Sequence, residues 1–285
     1  MPSLRHEQAP SSALVVAAHP DDIEFMAGGT LATWIAQGTS VHYLLVTDGA
    51  GGSRDPQQTP EVLAARRRSE QCAAADLLGV TSVTFLGYSD AELEPSLALR
   101  IAIARMIRQV RPEVVLTFDP QRHYSTNGIN HTDHLVVGAS TLGAVMPLAN
   151  TRLAARTLLE EGLEPHDVRA VYLFDPATPT DWMPLARREL EQKASALQAH
   201  ASQLTLWDGV AAAYTHARDT AQAANRAGVS CAYAEAFVRI QLGAHVPQPQ
   251  PARRRALVPA VAGIAQVARS VQLAFTSLVA LRRIR

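Results

Sequence analysis

Short apolar, β-branched runs alternate with longer stretches of helical periodicity from the start of the chain. Residues 13–18 (ALVVAA) are too apolar and too few for a surface helix and read as a buried parallel strand. Gly28 and Gly29 open a helix expected to run to residue 37, with Gly38 placed to end it in the left-handed conformation. Residues 41–47 form a second strand, followed by a glycine-rich loop, DGAGGSRDPQQ. Thr59, Pro60 and Glu61 then make a helix start: a capping hydroxyl, a proline at the first position and an acid in the first turn. That helix reaches about residue 78 and stops at Gly79. A third strand is expected over 82–86, a helix over 95–110 and a fourth strand over 114–118, whose loop leads into a helix near His131. Such alternation implies right-handed crossovers and a three-layer, Rossmann-like α/β fold, a mostly parallel sheet with helices on both faces.

Beyond residue 150 the pattern loosens. Strands are expected at 171–174 and 232–241, and helices at 185–203 and 207–226. The stretch VPQPQPARRR then reads as a linker. The expected organisation is a disordered tail over 1–12, one catalytic domain over 13–244, a linker over 245–255 and an apolar helix over 256–285. Between 256 and 281 the only charge is Arg269, and Gln266, Ser270, Thr276 and Ser277 fall on its side at helical spacing. Arg253 to Arg255 and Arg282-Arg283 flank the segment. Two readings stand: an amphipathic helix at an anionic membrane surface, or a helix packed on the catalytic domain or at an oligomer contact. A homo-oligomer is expected.

Composition narrows the function classes. The 285 residues balance to a formal net charge of +0, without the basic footprint that a nucleic-acid partner leaves. The two cysteines, Cys72 and Cys231, form no C-x-x-C pair or disulfide framework, which suits a reducing, cytoplasmic setting. The N-terminus, MPSLRHEQAPSS, has no apolar core of a cleaved secretory signal.

Ligands of open parallel sheets bind beyond the carboxyl ends of the strands. Here the first strand runs out into His19-Pro20-Asp21-Asp22, the second into Asp48 and then Arg54, and the fourth into Asp119, with Asn130-His131-Thr132-Asp133-His134 shortly after. Imidazole and carboxylate together suit zinc, whose catalytic sites keep three protein ligands and one open position. His19 and Asp22 can converge on one ion, and His134 can supply the third ligand. Asp21 stays free as a general base for the attacking water. His131, one helical turn before His134, can stabilise the oxyanion or protonate the departing amine. Asp133 can orient an imidazole.

AAHPDDIEFMAGGTLA, VTDGAGGSRD and NHTDH together resemble the LmbE-like family, also called the PIG-L family, of zinc N-deacetylases. RRRSEQCAAADLLGV and KASALQAHASQ, with Lys193, His200 and Gln203, are similar to further family features, and the likeness spans about residues 13–241. The resemblance implies zinc on His19, Asp22 and His134, with Asp21 as base, His131 assisting the oxyanion and leaving group, and Asp133 orienting His131. It implies Arg54 as the arginine that holds the substrate's sugar, with His200 and Tyr124 lining the pocket. Ile23 stands between Asp22 and Glu24 where the usual motif is H-P-D-D-E, so Glu24 is expected to act behind the ligands or at the helix start. The implied reaction is zinc-dependent hydrolysis of an N-acetyl or other N-acyl amide on an amino sugar or its conjugate. Alternatives are an amidase on a thiol or other amide conjugate, or a phosphoesterase, whose two-metal sites need more bridging carboxylates. Iron or cobalt would fit the same ligands.

Overall fold

The computed structural model describes residues 8–125, 128–204 and 208–243. The linker expected at 245–255 and the apolar helix at 256–285, with the membrane or oligomer contact expected of it, lie outside the described residues. So do residues 1–7 of the tail.

In chain order, the first half is β1 (Ser12–Ala17), α1 (Asp22–Ala36), β2 (Ser40–Thr47), α2 (Pro60–Leu78), β3 (Ser82–Tyr88), α3 (Leu97–Val110) and β4 (Val114–Phe118). A two-stranded hairpin, β5 (Tyr124–Ser125) and β6 (Gly128–Ile129), precedes α4 (Thr132–Gly143) and α5 (Arg156–Glu160). The remainder is β7 (Ala170–Phe174), β8 (Asp181–Leu185), α6 (Arg187–Gln198), α7 (Gly209–Arg226) and β9 (Tyr233–Gln241). One seven-stranded sheet runs in the order β3-β2-β1-β4-β7-β9-β8. The strands β3, β2, β1, β4 and β7 pair in parallel, while β9 runs antiparallel to both β7 and β8. The mostly parallel α/β fold is therefore as the alternation of elements predicts.

Chain direction across the sheet reverses at β1, from which the order steps outward to β2 and β3 on one side and to β4 and β7 on the other. The gap beyond the carboxyl ends of β1 and β4 is thus the switch point, where open α/β sheets bind ligands. Both strands are buried along almost their whole length, which fixes the height and direction of the turns leaving them.

Two local signals act as expected. Thr59 caps α2, its hydroxyl accepting from Val62 N, and Gly79 ends that helix at φ 84. One signal does not. Helix α1 starts at Asp22, not at Gly28, because the turn after β1 passes directly into helix with Asp22 and Glu24 in its first turn. Gly28 and Gly29 lie inside the helix and serve close packing: a Cβ on Gly29 would come within 2.5 Å of Leu185 Cδ1, and one on Gly28 within 3.2 Å of Lys193 Cγ. Strand β8, which carries Pro184 and sits at the sheet edge, has no clear alternation to announce it.

Behind the sheet, Lys193 Nζ donates to Glu235 Oε1 at 2.7 Å with both side chains fully buried. Glu235 also accepts from the backbone N–H groups of Gly29 and Thr30, at 3.0 and 2.7 Å. One carboxylate thereby ties β9 and α6 to α1. Among the described residues, no helix is long and apolar enough to cross a membrane.

Candidate active site

The turn after β1 places His19 and Asp22 side by side. Asp22 Oδ2 accepts from the backbone N–H of His19 at 2.7 Å, which holds its carboxylate facing back toward the imidazole. The first turn of α4 brings His134 from the far side of the switch point. The three side chains then meet: His19 Nδ1 is 3.4 Å from Asp22 Oδ2, His134 Nε2 is 3.3 Å from His19 Nδ1, and His134 Nε2 is 3.3 Å from Asp22 Oδ1.

The outer nitrogen of each ring is occupied. His134 Nδ1 lies 2.9 Å from Asn130 Oδ1, an acceptor, so it carries the proton and leaves Nε2 with its lone pair directed at the cluster. Phe118 stacks on the same ring, centroids 3.9 Å apart and 10° from parallel. His19 Nε2 lies 3.1 Å from Asp90 Oδ1 and 3.2 Å from Asp133 Oδ2, which fixes its proton there and frees Nδ1.

This donor set fits a divalent cation. Ligand atoms about 2.0–2.1 Å from a tetrahedral ion lie about 3.3–3.4 Å from one another, and His19 Nδ1 and His134 Nε2 lie at such distances from each other and each from one Asp22 oxygen, Oδ2 for His19 and Oδ1 for His134. Two unprotonated imidazole nitrogens facing each other across a carboxylate would otherwise have no counter-charge between them. A second grouping, His19, Asp90, His131 and Asp133, is looser, with His131 Nε2 4.0 Å from Asp90 and His131 Nδ1 3.9 Å from Asp133. Its contact to His19 uses the nitrogen opposite the first group. We read it as the hydrogen-bonded support of the first.

Without a cation, the acids around the cluster favour an extra proton on His19, the positive charge that a bound metal ion would supply in its place. Burial would lower the His19 pKa, but Asp22, Asp133 and Asp90 raise it well above the usual histidine value. Burial would raise Asp22, and the charges of His134 and His19 hold it well below the usual carboxylate range. Asp90, likewise opposed by burial, is drawn down to about 2 by His19 and the Gly51 N–H. His131 is lowered by burial and by His19.

Asp21 stands apart from the three. Its backbone is left-handed, φ 101, at the position capping α1, a conformation that a short polar side chain tolerates at some cost. Its N–H donates to Gln71 Oε1 at 3.1 Å, and its Oδ2 accepts from Arg67 Nη2 at 3.1 Å. Burial pushes its carboxyl up to about 6, with Arg67 the main opposing influence.

The other residues expected at the site divide. His131 caps α4 and is partly exposed beside the cluster, its Nδ1 accepting from Asp133 N at 3.2 Å. The Asp133 carboxylate is directed to His19 and to Ala91 N, and lies 3.9 Å from His131 Nδ1, beyond hydrogen-bond range. Arg54 is exposed on the loop after β2, and Tyr124 is 75% exposed on the β5 strand. His200 is buried, its Nε2 3.3 Å from Glu24 Oε2, and Glu24 in turn accepts from Gln71 Nε2 at 2.8 Å. Lys193, His200 and Gln203 thus brace the site from behind, Gln203 through Gly52 O at 3.2 Å.

Arg67, Gln71, Asp90 and Asn130 were not singled out from the sequence as site residues. Asp90 had a usable signal, since it follows β3 at the same rim of the sheet as the other strand-end acids. Arg67 and Gln71 lie mid-helix in α2, within the family-like segment RRRSEQCAAADLLGV, which carried no role for either side chain.

The chain matches the PIG-L family, described as GlcNAc-PI de-N-acetylase, over residues 14–145. It is similar to the diacetylchitobiose deacetylase of Thermococcus kodakarensis, 34% identical over 190 residues that cover 67% of this chain and 69% of that protein. It is also similar to the 4-oxalmesaconate hydratase of Pseudomonas putida, 30% identical over 213 residues, 69% of this chain and 76% of the other. Among solved structures, the N,N'-diacetylchitobiose deacetylase of Pyrococcus horikoshii, complexed with its inhibitor MPG, superposes with a TM-score of 0.73. The match has 27% identity and covers 81% of this chain and 84% of that one.

Proposed function

The chain belongs to the PIG-L family, and on that premise we propose that it is a zinc-dependent N-deacetylase acting on an acetylated amino sugar or a conjugate of one. The observation that carries the reading is that His19 Nδ1 and His134 Nε2 lie 3.3 Å apart and each within 3.4 Å of an Asp22 carboxylate oxygen, with the carboxylate of Asp21, the residue before Asp22, held by Arg67 outside that group. Similarity to the Thermococcus deacetylase supports the same chemistry.

A zinc ion held by His19, Asp22 and His134 would lower the pKa of a water and polarise an amide carbonyl. Asp21 accepts the proton of the attacking water, and its carboxyl, pushed up to about 6 by burial, is a stronger base than an ordinary aspartate. Arg67 holds that carboxylate in place. His131, more exposed than the metal-facing imidazoles and with Nδ1 accepting from Asp133 N, offers its Nε2–H to the oxyanion, and the proton taken up by Asp21 is returned to the departing amine. Asp90 and Asp133 hold the proton of His19 on Nε2, and Asn130 holds that of His134 on Nδ1, so both inner nitrogens stay available. Arg54, exposed on the loop after β2, and Tyr124, exposed on β5, are the side chains we expect to meet substrate away from the amide.

The Pseudomonas relative motivates a second reading, water addition to an unsaturated acid, which also asks a base to take a proton from water. Products separate the two. The test is release of primary amine and acetate from a panel of N-acetylglucosamine conjugates (lipid-linked, thiol-precursor, oligosaccharide and glycopeptide) by zinc-loaded wild type, Asp21→Asn and His134→Ala. Amine release lost in Asp21→Asn with zinc still bound at one per chain is the expected result. Loss of the unsaturated chromophore of oxalmesaconate with no amine from any conjugate would establish the hydratase reading. Two ions per chain would point instead to a phosphoesterase-like centre.

A further inference from the structure

The left-handed turn at Asp21 is held from one helix by two side chains. Arg67 Nη2 donates to Pro20 O and to Asp21 Oδ2. Gln71, one helical turn later on α2, accepts from Asp21 N through its Oε1 at 3.1 Å. The peptide between Pro20 and Asp21 is thus gripped at its oxygen by Arg67 and at its nitrogen by Gln71. On the other side of the residue, Asp21 O accepts from Phe25 N at 3.1 Å, as part of the first turn of α1. The φ of Asp21 is 101, and a residue with a Cβ keeps such an angle only where its surroundings hold it there.

The direction of the Gln71 amide is set in turn by Glu24. Gln71 Nε2 donates to Glu24 Oε1 at 2.8 Å, and both side chains are fully buried. A carboxylate only accepts, so the amide turns its nitrogen to Glu24 and its oxygen to Asp21. Reversed, it would set oxygen against oxygen at one end and N–H against N–H at the other. The second Glu24 oxygen, Oε2, lies 3.3 Å from Nε2 of the buried His200, from which it accepts. The contacts from His200 through Glu24 and Gln71 to Asp21 N therefore run through the interior.

Asp22 does not depend on this chain of contacts. Its Oδ2 accepts from His19 N at 2.7 Å, a bond to which Gln71 contributes nothing. The two neighbouring aspartates have separate supports, and their carboxylates diverge, one to the imidazoles and the other to Arg67. A relaxation of Asp21 to negative φ would swing its carboxylate off Arg67 and leave the Asp22 oxygens where they are.

We propose that Gln71, oriented by Glu24 and His200, is a positioning residue for Asp21, holding the Pro20–Asp21 peptide in the left-handed turn that keeps the base beside the metal position and out of the ligand set. The inference rests on the reading of Asp21 as the general base and adds to it what fixes the direction of that base.

The test uses zinc-loaded protein carrying Gln71→Met, which keeps the length of the side chain and removes the amide, or the swap of Glu24→Gln with Gln71→Glu. The swap returns an acceptor for Asp21 N and a donor between positions 24 and 71. Hydrogen exchange at the Asp21 amide reads the contact without turnover. It is expected to speed up about tenfold or more in Gln71→Met and to fall back towards wild type in the swap. Unchanged exchange in Gln71→Met overturns the proposal. If that variant does not fold, a folded swap whose Asp21 amide is unprotected overturns it instead. In turnover, Gln71→Met is expected to lose about tenfold or more in kcat, with KM within about twofold and zinc still at one per chain. In an Asp21→Asn background the same substitution is expected to cost less than about twofold, because the base that it positions is gone. An equal loss in both backgrounds, or a loss of zinc, overturns the proposal. Faster exchange in Gln71→Met, with no amine released by wild type from any conjugate, upholds the hold on Asp21 and fails only the deacetylase reading.

Discussion

His134 Nε2 and His19 Nδ1 face each other at 3.3 Å, although the residues lie 115 positions apart and each ring has its other nitrogen committed to oxygen acceptors. Two lone pairs so placed repel unless a proton or a cation lies between them, and Asp22 supplies the third donor.

Metal removal follows from that pair. Chelation is expected to abolish activity and to lower the melting temperature, and added zinc to restore both. A ligand at a thousandfold its Kd stabilises by about 4 kcal/mol, so calorimetry with and without chelator reads the effect directly. His134→Ala should bind well under one ion per chain.

Asp21→Asn should cost about 10²–10⁴-fold in kcat, the usual contribution of a general base, with metal content unchanged. Loss of metal in this variant would place Asp21 among the ligands.

The pH profile tests the Arg67–Asp21 contact. Asp21 must be deprotonated to act as base, so activity falls as pH drops through its pKa, about 6 in the metal-free protein. A bound cation acts in the same direction as Arg67 and favours the carboxylate, so the acidic limb of kcat/KM is expected at or below that value. Removing Arg67 takes away an opposite charge, which typically lowers an aspartate by about 1–3 units. Arg67→Gln should therefore move the limb upward by about one unit or more. An unmoved limb would mean that another group titrates.

The buried Lys193–Glu235 pair gives a stability prediction. Glu235→Ala leaves a fully buried ammonium without its partner and frees the N–H groups of Gly29 and Thr30, at an expected cost of about 3–5 kcal/mol. Denaturant unfolding measures it. A loss below about 1 kcal/mol would show that water or another acid takes over.

The parallel strands and all four of His19, Asp21, Asp22 and His134 were legible in the chain. Buried parallel strands are short apolar runs that little else produces, and His19, Asp21 and Asp22 follow β1 directly, so local order alone puts them at the rim. His134 was legible because it shares a turn of helix with His131. What the tertiary structure decided depends on contacts between distant segments. Arg67 reaches Asp21 across 46 residues, and Asp133 reaches His19 across 114 where the family resemblance implied His131. Asp90 reaches His19 from the end of a third strand. Strand β8, with a proline and no alternation, exists because β9 offers it an edge. Periodicity records which face of an element is buried. It does not record which residue of another element meets that face, and that pairing decides the partner of each buried charge.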